Sequence, residues 1–179
     1  MKFAKLVISF LFWLVSLIVN LPSVYADSLS IDYIQGEGDV KGLKVAYQFY
    51  EKDLSNLLPE FAINFETSAN FWEYGAQNTH ETNLVLALSP VLNKTICYCQ
   101  YGRVYGEFGI GLSFIDDTKF AGKNISTHYQ FEDRIGLGYE FGKDFQYKVA
   151  LRYFHYSNGG LKKPNPGLDF LSFSFLYKI

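Results

Sequence analysis

Cysteine, methionine and proline are scarce in this chain: two, one and five residues among 179. A disulfide-built fold is thereby excluded, because Cys97 and Cys99 are the only thiols and stand two residues apart, where a bridge is strained. That pair has no second pair to complete a zinc site, and His80, His128 and His155 share no ligand-like spacing, so neither metal nor other cofactor is expected. A strong charge of one sign is also missing. The formal net charge is -2, and it moves to about -4 if Lys2 and Lys5 leave with a leader, which argues against a nucleic-acid partner. Gly106-x-x-Gly109-x-Gly111 lacks the strand-loop-helix setting of a nucleotide loop and reads as small residues filling a narrow interior. Beyond residue 26 no apolar run reaches the roughly 20 residues that a membrane-spanning helix needs.

What is present in abundance is aromatic side chains, 17 Phe and 14 Tyr, set in segments that alternate apolar and polar residues. In the last segment Leu171, Phe173, Phe175, Tyr177 and Ile179 are apolar at every second place, with Ser172, Ser174 and Lys178 between them. Tyr147, Val149, Leu151 and Tyr153 oppose Lys148, Ala150 and Arg152 in the same way. This is a period of two, the mark of strands with unlike faces. Eight strands are expected, near 28–37, 42–50, 60–72, 80–91, 101–115, 127–141, 146–157 and 168–179. Several exceed the 5 or 6 residues usual in soluble sheets and match the roughly 9–11 that cross a bilayer.

The expected fold class is therefore all-β: an eight-stranded antiparallel outer-membrane β-barrel, apolar outside and polar inside. Arg103, Glu107, Glu132, Arg134, Glu140, Lys148 and Arg152 should pair within it, and His128 falls on the same inner face. The N-terminus has the form of a signal peptide: a basic Lys2 and Lys5, an apolar Leu6 to Val19 and a small-residue site at Val24-Tyr25-Ala26. Residues 1–26 are accordingly read as leader and 27–179 as the barrel domain, with both ends of the barrel chain on the periplasmic side.

One hairpin carries the chemistry. His155 and Ser157 stand at i and i+2 and share a strand face, and the return of the chain through Lys163-Pro164-Asn165-Pro166-Gly167 brings Asp169 beside them. A base, a hydroxyl and a carboxylate are the parts of a serine esterase. Parity puts all three on the lipid-facing side, and strand direction puts them at the outer-leaflet end. Polar groups on that face are costly unless they are interfacial or functional, which points to a membrane lipid as substrate. Gly159, Gly160 and Asn165 are candidate oxyanion donors, Asn158 a donor or a loop cap, and Asp133 a supporting carboxylate. Lys162 and Lys163 are candidate partners for lipid phosphates.

His155-Tyr156-Ser157-Asn158, Lys163-Pro164-Asn165, Gly167 and Phe131-Glu132-Asp133-Arg134-Ile135-Gly136-Leu137-Gly138 resemble the PagL-type lipid A 3-O-deacylase family over roughly the last third of the chain. The resemblance implies an outer-membrane barrel that hydrolyses the 3-position ester of lipid A and releases a 3-hydroxyacyl chain. His155 and Ser157 then take the places of base and nucleophile, and Asp169 stands where the family carries Glu. Lipid A or lipopolysaccharide is the partner implied, among outer-membrane lipids; a homodimer is left open. The competing reading is a non-enzymatic small barrel that anchors or adheres at the cell surface.

Overall fold

Alternation over long segments gives strands whose two faces differ, and here they close on themselves. The computed structural model describes residues 27–75 and 81–179; the expected leader and His80 lie outside them. In chain order the strands are β1 (Ser28–Gly36), β2 (Val40–Asp53), β3 (Phe61–Tyr74), β4 (Glu81–Cys99), β5 (Gly102–Ile115), β6 (Lys119–Phe120), β7 (Lys123–Asn124), β8 (Tyr129–Phe141), β9 (Tyr147–Ser157) and β10 (Leu168–Lys178). Eight of them form a closed antiparallel barrel in the order β1-β10-β9-β8-β5-β4-β3-β2, and β6 pairs with β7 in a separate small hairpin.

The outward face is apolar, with Leu151, Leu171, Ile135 and Leu137 all at least 60% exposed. In water such a band would be a liability; in a bilayer it is the solvated face. The inward face carries buried charge in matched pairs. Arg134 bridges Glu66 (2.6 Å) and Glu132 (2.7 Å), Lys44 meets Glu66 (2.9 Å), and Arg152 joins Glu107 (2.6 Å) to Asp32 (2.9 Å). Near the other rim Lys148 and Arg103 both engage Glu140. The predicted interior charges thus pair as expected, joined by Asp32, Lys44 and Glu66. Small residues make room for the interior side chains: a Cβ at Gly138 would lie 2.2 Å from the Tyr105 ring, which fills the space that a larger residue there would take.

Three features depart from the sequence reading. β4 runs on to Cys99 although Pro90 lies within it; the ladder toward β5 lapses at Ser89 and Pro90, where proline has no N–H to give, while pairing with β3 continues. His128 is exposed rather than inside, its Nδ1 2.8 Å from the Ile115 carbonyl and its ring stacked on Phe114. The outer end of the lumen is apolar, not polar. Trp72, Phe154, Tyr156 and Phe170 cluster there with Phe120 and Ile125 from the segment between β5 and β8, so that this long loop plugs the mouth and is held over it. Cys97 and Cys99 are free and exposed.

Candidate active site

The site lies on β8, β9 and β10, on the outer face at the plugged end. Antiparallel pairing sets His155 directly opposite Asp169 on one side and Asp133 on the other. Directly opposed residues have Cβ atoms about 4.5–5.5 Å apart, a span that the short aspartate side chain closes without a further methylene. His155 Nδ1 lies 2.7 Å from Asp169 Oδ1. Tyr153, two residues before His155 on the same face, donates its hydroxyl to the same oxygen at 2.5 Å. Asp169 thus holds the ring by one nitrogen and is itself held. Ser157 is the next residue on that face, half-buried as are His155 and Asp169, and no hydrogen bond joins its hydroxyl to the ring. Asp133 is half-buried too, on the flank of the imidazole away from Asp169.

The loop 158–167 is built around one buried side chain. Asn158 donates through Nδ2 to the carbonyls of Lys162 (2.9 Å) and Ile125 (3.2 Å), and its Oδ1 accepts from Gly160 N–H (3.0 Å). Of the two uses open to Asn158, the loop-organising one is what these contacts describe. Gly160 is correspondingly spent, because its amide is already donated. Asn165 Oδ1 accepts from the Asn158 N–H at 3.0 Å, which fixes the Asn165 amide beside the Ser157-Asn158 peptide. Lys162 and Lys163 are exposed on the loop.

A family model described as lipid A 3-O-deacylase (PagL) matches residues 41–178 of this sequence, which includes every residue named at the site. The chain belongs to the lipid A 3-O-deacylase (PagL) family. A relative from Bordetella bronchiseptica, lipid A deacylase PagL, is 43% identical over 76 residues, 42% of each chain. Another of that name from Pseudomonas aeruginosa is 42% identical over 115 residues, 64% of this chain and 62% of its own. The chain therefore aligns with less than two thirds of the length of either. The crystal structure of the outer membrane enzyme PagL superposes with a TM-score of 0.73 at 24% identity, covering 85% of this chain and 99% of that one. The fold is that of an outer-membrane barrel, and its apolar outer band places it in that membrane.

The fold brings the predicted imidazole, hydroxyl and acid of His155, Ser157 and Asp169 onto one outward face, among neighbours that sequence reasoning missed. Tyr153 reads in sequence as one more lipid-facing aromatic; only the i, i+2 spacing to His155 hints at more. Lys123 and Glu37, from two other loops, meet in an ion pair beside the site, and Lys123 Nζ also donates to the Gly167 carbonyl at 3.1 Å. No local pattern signals that convergence. Below Tyr153 an apolar groove of about 700 Å³ runs along the outer face between Phe108, Ile135, Leu137, Leu151 and Leu171. Its floor is open where Gly106 on β5 presents no side chain.

Proposed function

We propose that this chain is a lipid A 3-O-deacylase working as a serine esterase in the outer membrane, with Ser157 as nucleophile, His155 as general base and Asp169 as the residue that orients the base. The observation that carries the reading is the outward-facing His155–Asp169 hydrogen bond of 2.7 Å, with Ser157 next along the same face, on a surface otherwise given over to lipid. Polar groups on the lipid face cost stability, least near the interface, and a catalytic constellation set there matches a substrate that is itself a membrane lipid. The groove beneath Tyr153 supports the same reading, since it offers an acyl chain an apolar course leading to the site.

The steps follow from the chemistry of the groups. His155 Nε2 takes the Ser157 proton as Oγ bonds to the acyl carbonyl carbon, and Asp169 stabilises the imidazolium that forms. The tetrahedral oxyanion takes hydrogen bonds from Asn165 Nδ2. Collapse breaks the ester C–O bond, and the sugar oxygen leaves as the 3-hydroxyl with the proton from His155. Water, activated by the neutral imidazole, then cleaves the acyl-serine, freeing the 3-hydroxy fatty acid and restoring Ser157. Asp133 is assigned a supporting part on the other flank of the ring, and Lys162 and Lys163 contacts to lipid A phosphates.

Mass spectrometry of lipid A from cells with and without the protein tests the proposal. Loss of one 3-hydroxyacyl chain, abolished in Ser157→Ala, is the expected result. Unchanged lipid A, with the barrel folded and in the membrane, would leave the non-enzymatic surface barrel as the better account.

A further inference from the structure

A single hydrogen bond from Nδ1 does not fix an imidazole, which can still swing about that bond and carry Nε2 off its target. In this protein the swing is blocked by backbone. Gly167, the residue just before β10, is buried with φ of 72°, and a Cβ built on it would stand 2.5 Å from His155 Cε1, with Nε2 and Nδ1 at 3.3 and 3.4 Å. The Cα of Gly167 therefore lies against the ring edge that joins the two nitrogens, a close approach open to no other residue type. Backbone makes a firm wall only if it is itself held. The Gly167 carbonyl receives the ammonium of Lys123 (3.1 Å), Lys123 is ion-paired with Glu37, and a second tie from the same segment, Ser126 Oγ to the Pro164 carbonyl (2.7 Å), holds the loop three residues before Gly167. Glu37 belongs to the β1–β2 turn, Lys123 to the β6–β7 hairpin and Gly167 to the β9–β10 loop, so three separate loops meet behind one imidazole.

We propose that Gly167 is a positioning residue for His155 and that Lys123 is the strut that keeps Gly167 in place. The proposal rests on the reading of His155 as the base. It assigns a purpose to the hairpin between β5 and β8 beyond plugging the barrel: through Lys123 that hairpin sets the direction in which the base points. Misplacement of a reacting group by about 1 Å can cost on the order of a hundredfold in rate, which is the scale of effect to be sought.

The test uses the full-length protein in detergent micelles with lipid A as substrate, and a fluorophosphonate that labels an activated serine. Gly167→Ala should lower kcat by about a hundredfold with KM within a factor of two or so, and slow Ser157 labelling in parallel, because the displaced group is the base and not a binding contact. Lys123→Met, which keeps the apolar stem and removes the donor, should lower kcat by about tenfold, and Lys123→Arg should restore most of it. Heat-modifiable gel migration reports whether each variant is folded; if Gly167→Ala is not, Lys123→Met and its rescue decide alone. Wild-type kcat in both variants, or a raised KM with kcat unchanged, overturns the positioning role while leaving the triad standing. A folded wild-type protein that neither deacylates lipid A nor takes the label overturns the triad, and the positioning role with it.

Discussion

Two acids flank His155, and hydrogen bonding separates them. Asp169 accepts from the imidazole at 2.7 Å and from Tyr153 at 2.5 Å, whereas Asp133 stands across the other ladder with no such bond to the ring. Asp169→Asn keeps the shape, loses the charge and favours the wrong tautomer, so deacylation should fall by about 10³–10⁴-fold, close to the loss in Ser157→Ala and His155→Ala. Asp133→Asn should cost about tenfold or less. If the order is reversed, the third member of the triad sits on β8. Tyr153→Phe removes one hydrogen bond to a charged acceptor and should lower kcat by roughly tenfold with unchanged KM, measured by lipid A turnover in micelles. His155, Ser157 and Asp169 were legible because strand parity and a hairpin return are local rules. Tyr153 was not, because its hydroxyl and Asp169 meet diagonally across a ladder whose register no local pattern declares.

At the level of elements, the loop after β9 and the charges inside the barrel carry separate burdens. Asn158 is buried and serves the loop through both its amide nitrogen and its carbonyl oxygen. Asn158→Ala leaves those partners unpaired and should open residues 159–166 to limited proteolysis while the barrel keeps its heat-modifiable migration, with activity falling along with the loop. Arg152 lies between Glu107 and Asp32 with Ser174 also bound to it. Arg152→Met strands two buried carboxylates and should destabilise the barrel by about 3–5 kcal/mol, read as a lower denaturant midpoint in detergent. Double replacement with Glu107→Gln should recover part of that loss. The alternating strands announced that charges would meet inside; which cation met which anion was set by the stagger of strands far apart in sequence, such as Asp32 and Arg152.

For the whole molecule, the closed sheet leaves no edge, satisfies its backbone within itself and turns an apolar band outward. Purified protein should therefore migrate differently before and after boiling and give a β-type circular dichroism spectrum in detergent. Because His155, Ser157 and Asp169 face lipid and not the lumen, a short water-soluble ester should, under the proposed function, be turned over far more slowly than lipid A presented in a micelle, by a factor of at least about a hundred in kcat/KM. Equal rates on both would detach the site from the membrane and count against the role of the groove along Leu137 and Leu151.

The amino-acid sequence by itself determined the class of fold, the side of the sheet on which most strand residues lie, and the three groups that face outward near the outer rim. Those properties depend only on the two-residue period of a strand and on counting turns. Tertiary structure alone decided the rest: the apolar plug at the mouth, in which Phe120 and Ile125 join Trp72, the spending of the Gly160 amide on Asn158, and the meeting of Glu37, Lys123 and Gly167 behind His155. Each depends on where a long loop comes to rest after the barrel has closed. That position minimises exposed apolar surface and unpaired charge over the whole outer end, a sum over residues distant in the chain that no segment of it encodes.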